Sequence, residues 1–313
     1  GQSLIRNKNS LASDFSSVFY LNILLGLLVY LSIYFIAPFG IIYLIFLLDT
    51  KVHNKLDMDL LASEIPVIAE IPQIKAGVST IFSNPNDRSV LAESFRILTT
   101  NMKFVLPSDG LGKVIFCTST IKGEGKTFVS VNLARVEANM GRRVLLIGAD
   151  LRNPQIHKTL NFSNDNLGLS NLLADASLNW RSAIQSSEDF ENLHFVVAGP
   201  IPPNAPQLIK NGRLQEILNE AKNEYDLIIL DTAPTLLVTD TFLMSDYSDL
   251  TIFVTRYGFT DKALLQFIGD VKDDNKIKNM AVVLNGIKQN SSYGYQYGYN
   301  YGYGYGYSNK GVT

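Results

Sequence analysis

Thr118-Ser119-Thr120-Ile121-Lys122-Gly123-Glu124-Gly125-Lys126-Thr127 follows the apolar run Val114-Ile115-Phe116-Cys117 and precedes a helical pattern from Phe128 to Met140 that Gly141 closes. A strand that ends in a glycine-containing loop and re-enters as a helix is the arrangement a phosphate-binding loop needs. Amides at the helix N-terminus then point at an anion, and the helix dipole adds to their pull. Gly123 and Gly125 let the backbone approach phosphate, Lys126 neutralises β/γ charge and Thr127 offers a hydroxyl to Mg²⁺. Ser119, Thr120 and Glu124 complete the loop residues expected around the nucleotide. Thr120 stands where the general pattern has its first glycine, so the motif needs support from its surroundings.

That support comes from two later strand ends. Val144 to Arg152 and Asp226 to Pro234 each carry an acid, Asp150 or Asp231, just past a run of aliphatic residues. Open α/β sheets bind ligands at the carboxyl ends of their strands, which is where both acids fall. Asp231 is the better Mg²⁺ ligand, direct or through water, and Asp150 is placed to help hold metal or to orient an attacking hydroxyl. With Thr127 they form the candidate metal set, and with Lys126 the candidate catalytic set. Short apolar runs at Val114, Val144, Phe195, Leu227, Thr251 and Ala281 read as strands buried on both faces. Helical patterns lie between them. The expected fold is α/β: a mostly parallel sheet of the P-loop NTPase type, covered by helices on both faces.

Residues 21–48 are almost wholly apolar and uncharged. As a helix they would span about 42 Å against roughly 30 Å of hydrocarbon, which fits one tilted or Pro38-kinked transmembrane span. Flanking charge orients it weakly, with Arg6 and Lys8 before and Lys51 and Lys55 after. The stretch 49–86 reads as a polar tether, because Pro66 and Pro72 oppose continuous helix. From Ser89 to Phe104 the spacing of Val90, Phe95, Leu98 and Met102 predicts a helix. Charged residues are 18% of the chain and the net charge is -2, which argues against a nucleic-acid partner. His53, His157 and His194 have no ligand-like spacing, and the lone Cys117 suits a reducing cytosol. The chain opens on Gly1 rather than Met, as a piece of a longer protein would. At the other end, Ser291 to Tyr307 alternates tyrosine with glycine, asparagine or glutamine and cannot build a core.

The loop, the two acids, the preceding span and the tyrosine cluster resemble the bacterial tyrosine kinases that act with polysaccharide co-polymerases in exopolysaccharide export. The resemblance covers nearly the whole chain from about Leu21. It implies an ATP- and Mg²⁺-dependent protein-tyrosine autokinase whose acceptors are Tyr293, Tyr295, Tyr297, Tyr299, Tyr301, Tyr303, Tyr305 and Tyr307. It places Arg152 in the second acidic motif and makes Asn285 part of a base-contacting loop, both on the nucleotide. Glu93 and Arg96 are similar to the helix through which these kinases form rings, so a homo-oligomer is implied. Export machinery, a counteracting phosphatase and the inner membrane are the other implied partners, with the kinase domain cytoplasmic. The segments are then 1–20 before the membrane, 21–48 the span, 49–86 the linker, 87–289 the kinase domain and 290–313 a disordered acceptor tail.

Three residues depart from the family pattern. Gly148 stands where the second motif usually has its first aspartate, Thr99 where the ring-forming helix has its last arginine, and Lys122 where the loop often has proline. Two rival readings remain. A partitioning or division-site ATPase carries a lysine four residues before the loop glycine, where this chain has Ile121. A structural export component with a regulatory nucleotide site is kept open by Gly148.

Overall fold

The computed structural model describes residues 2–61, 64–74, 88–107, 112–160, 167–186, 190–236 and 240–288, with backbone alone for 2–15 and 59–61. It divides into two units, Gly1–Thr50 and Lys51–Thr313. The first unit is a single helix, α1, Gln2–Leu47, with Pro38 inside it. Ser16–Leu47, 32 residues at a mean hydropathy of 2.2, is long and apolar enough to cross a membrane. Ser32 sits within that apolar run because its hydroxyl donates to the Leu28 carbonyl at 2.8 Å, which satisfies it inside its own helix. The helix starts well before residue 21, since residues 2–20 continue it without a break.

In the second unit the chain runs α2 (Lys55–Leu61), β1 (Val67–Pro72), α3 (Val90–Val105), β2 (Lys113–Ser119), α4 (Lys126–Asn139), β3 (Val144–Gly148), α5 (Ile156–Thr159) and α6 (Leu169–Ala174). It continues through β4 (Gln185–Ser186), β5 (Leu193–Val196), α7 (Ala205–Lys210), α8 (Arg213–Ala221), β6 (Leu227–Asp231), α9 (Asp240–Met244), β7 (Leu250–Arg256), α10 (Lys262–Asp273) and β8 (Met280–Ile287). One sheet holds the strands in the order β1-β8-β7-β2-β6-β3-β5-β4. Every pairing is parallel except the short β4, which runs antiparallel to β5.

Alternation along the strands distributes the core to both faces. In β2, Ile115 and Cys117 pack with Phe95, Leu98 and Met102 of α3 and with Val129 and Leu133 of α4. Val114 and Phe116 pack with Leu172 of α6, Ile209 of α7 and Ile217 of α8. A third cluster joins α2 and α10 to β7 and β8 through Met58, Leu265, Phe253 and Val282. This confirms the α/β sheet read from the apolar runs. The stretch Pro66 to Pro72, read as tether, is instead the edge strand β1, paired in parallel with β8 from Val67 to Pro72. An edge position tolerates the missing amide of Pro72, and Ile68 and Ile71 supply buried side chains. Ser89 caps α3, its hydroxyl oxygen accepting from the Ala92 amide at 3.1 Å.

Candidate active site

β2, β3 and β6 are neighbours in register, Cys117 beside Asp231 and Asp231 beside Gly148, so their carboxyl ends open onto one place. There β2 passes through the phosphate-binding loop into α4. Gly123 and Gly125 have φ of +97° and +102°, a left-handed geometry that side chains oppose. At Gly125 a Cβ would also collide with the Asn285 side-chain amide. The Asn285 Nδ2 donates to the Glu124 carbonyl at 2.9 Å, so this side chain is spent on the loop's backbone.

Lys126 leaves the first turn of α4 and lies between the two acids, 3.1 Å from Asp150 Oδ2 and 3.5 Å from Asp231 Oδ1. Burial pulls its pKa down, but Asp231 and then Asp150 outweigh that, and the ammonium is held above its ordinary value. Burial raises the Asp231 carboxyl, against the opposing pull of Lys126 and the Thr127 hydrogen bond. Thr127 Oγ1 donates to Asp231 Oδ2 at 2.7 Å. Asp150 Oδ1 accepts from the Asn153 amide at 2.9 Å, while its Oδ2 lies 3.1 Å from the Lys126 ammonium. A threonine hydroxyl and two carboxylates are hard oxygen donors of the kind Mg²⁺ takes beside phosphate.

The candidate residues do not all gather. Ser119, Thr120 and Glu124 lie buried in or beneath the loop. The Arg152 guanidinium pairs with the buried Asp240 at 2.6 and 3.2 Å. Glu93 and Arg96 pair with each other at 3.2 Å on the exposed side of α3, while Thr99 is buried in the helix interface. The eight candidate tyrosines, 293 to 307, lie outside the described residues. Sequence reasoning missed Asp240, Arg256 and Thr260. Arg256 Nη1 donates to the Gly123 carbonyl at 2.9 Å, and the Thr260 hydroxyl donates to Glu124. No local motif marks them, because they reach the loop only through the fold.

The AAA domain family model matches residues 112–282, which span the loop and both acids. A tyrosine-protein kinase of Bacillus subtilis, YwqD, is 35% identical over 210 residues, covering 66% of this chain and 87% of that protein. The chain belongs to the bacterial tyrosine-protein kinases. The kinase is also 32% identical over 236 residues to the tyrosine-protein kinase wzc of Salmonella typhimurium, 74% of this chain but only 31% of that longer protein. Its fold matches the kinase domain of the Escherichia coli tyrosine kinase ETK with a TM-score of 0.67 and 26% identity, over 82% of this chain and all of that one. The sheet is thus of the P-loop NTPase type, and nucleotide binding comes with it.

Proposed function

We propose that this kinase transfers the γ-phosphoryl group of ATP to tyrosines of its own C-terminal cluster, Tyr293 to Tyr307, between subunits. The observation that carries the reading is the convergence of Lys126, Thr127, Asp150 and Asp231 at three strand ends, within 3.5 Å of one another along the chain of contacts. In a loaded site Lys126 would pair with the β/γ-phosphates, and Thr127 and Asp231 would hold the metal. Mg²⁺ bound there would supply charge neutralisation across the phosphates. Asp150 orients the acceptor and takes its proton. The phenolic oxygen bonds to the γ-phosphorus, the bond to the β–γ bridging oxygen breaks and ADP leaves. Most of the rate comes from positioning and electrostatics rather than covalent chemistry by the protein.

The apolar helix Ser16–Leu47 supports an anchor in the bacterial inner membrane, and ATP chemistry puts the kinase on the cytoplasmic side. The likeness to the tyrosine-protein kinase wzc accords with the service to polysaccharide export, opposed by a phosphatase, that the family resemblance implies. Self-association through α3 fits its surface: an exposed ion pair such as Glu93–Arg96 is worth only about 0–1 kcal/mol, so exchanging it for a pair with a neighbour costs little.

Incubation with γ-³²P-labelled ATP followed by tryptic mapping tests the proposal. Label on the C-terminal tyrosines of the wild type, and none in Lys126→Met with its fold intact, is the expected result. Nucleotide hydrolysis with unlabelled tyrosines would instead indicate a regulatory site in a structural export component, the reading that Gly148 keeps open.

A further inference from the structure

We propose that Glu124 is a positioning residue for the phosphate-binding loop, which it and Thr260 hold in anion-accepting shape before nucleotide arrives. This rests on the reading of the loop as the MgATP site.

A loop with two glycines at positive φ loses much conformational freedom on ordering, so its shape must be held by bonds outside the local chain. Glu124, between those glycines, is fully buried, and its carboxylate gathers the donors around it. The Ile121 amide donates to Oε2 at 2.9 Å, and the Thr120 hydroxyl lies 2.9 Å from both oxygens. A glycine at position 120 could make no such bond, which gives the loop's departure from the general pattern a physical role. The third partner comes from the connection between β7 and α10. Thr260 Oγ1 accepts the Arg256 amide at 2.7 Å, which leaves its own proton for Glu124.

That connection is itself fixed. The Val52 amide donates to the Thr260 carbonyl at 2.9 Å, the Gly258 amide to the Val52 carbonyl at 2.8 Å, and the Tyr257 amide to the Asn285 carbonyl at 2.9 Å. The loop's carbonyls are taken from the same side, Gly123 by Arg256 and Glu124 by Asn285, both at 2.9 Å. A buried carboxylate next to an anion site opposes the incoming phosphates unless hydrogen bonds offset its charge. Burial closes it to an acceptor hydroxyl as well. Its contacts are to the loop and to the frame that braces it, which is the pattern of a group acting through geometry.

The test uses the full chain in detergent and reads MgADP affinity by calorimetry alongside KM for ATP and kcat for tail labelling. Thr260→Val, which keeps shape and removes the hydroxyl, is expected to weaken MgADP and raise KM roughly tenfold, the scale of one hydrogen bond to a charged group, with kcat little changed. Thr260→Ser should restore both. Glu124→Ala should weaken binding further, and adding Thr260→Val to it should cost nothing more, because the two residues act as one unit. A Thr260→Val protein that melts lower yet binds MgADP like the wild type would assign the pair a merely structural role and overturn the proposal. Equal additive losses in the double variant would overturn it too. A folded wild type that fails to bind MgADP would remove the site reading, and this inference with it.

Discussion

Gly148 shows how much a single missing Cβ decides. The residue lies beside Asp231 in register, at the position where the family resemblance leads one to expect an aspartate. A Cβ there would sit 3.0 Å from the Ala198 amide nitrogen and 3.5 Å from the Val197 carbonyl carbon, both backbone atoms with little room to yield. Gly148→Ala is therefore expected to destabilise the fold by about 1–3 kcal/mol, the usual cost of overpacking, measured as a lower urea midpoint at unchanged slope. Gly148→Asp adds a third carboxylate to a site with one lysine. It should lose at least as much stability and label its tail no faster than wild type. A rate gain approaching the 10²-fold typical of a general base would move proton removal from Asp150 to position 148. The loop and both acids were legible in the sequence because strand, loop and helix are consecutive there and each acid ends its own apolar run. Thr260, Arg256 and Asp240 were not, since each reaches its partner across more than eighty residues of chain.

Among the elements, β1 is the instructive case. Six strands announce themselves as runs of aliphatic residues, but Val67–Pro72 is bracketed by prolines and carries a glutamate, so it reads as connector until β8 is seen beside it. β4 has two residues, too few for any period to appear. The energetic weight of β1 is out of proportion to its sequence signal. Ile68 and Ile71 are buried, and the Asn101 amide of α3 donates to the Ile68 carbonyl at 2.8 Å. Two isoleucines fully buried contribute about 3–6 kcal/mol at the usual transfer values, a large share of the roughly 5–15 kcal/mol by which domains are stable. Removing the strand also leaves β8 with an open edge, the kind that recruits other chains. A soluble chain that begins at Ser89 should therefore melt lower than one that begins at Lys51 and should aggregate on heating. Equal melting temperatures by circular dichroism would mean that β1 is an accessory and that the tether reading was right in energetic terms.

For the whole molecule the question is whether a kinase labels its own tail or its neighbour's. Nineteen residues separate Lys288, just after β8, from Tyr307, a length that reaches at most about 65 Å when fully extended. Such a reach covers the protein's own site and a neighbour's alike, so geometry of the chain alone does not choose. Two features favour the neighbour. A membrane anchor at Ser16–Leu47 would confine the kinases to a plane, and self-association through α3 would hold many tails near many sites at high effective concentration. The outward side of α3 carries exposed Ile97 and Phe104 beside the Glu93–Arg96 pair, surface that a second copy would cover. Thr99 adds nothing to that surface, since it is buried, so any assembly there would rest on fewer charges than the family resemblance implies. Each phosphate added to the tail would bring about -1.5 to -2 charges, and like-charge repulsion would then loosen the assembly that made it. Transfer between subunits would thus be self-limiting, whereas transfer within one chain has no reason to depend on protein concentration. The two routes separate in a mixture of Lys126→Met protein with its tail intact and active protein truncated after Asn290. Phosphotyrosine should appear by mass spectrometry on the inactive partner, and its rate should rise with total concentration. If the intact kinase labels itself but the inactive partner stays unlabelled, even at concentrations that drive association, transfer is within the chain and the assembly serves some other end.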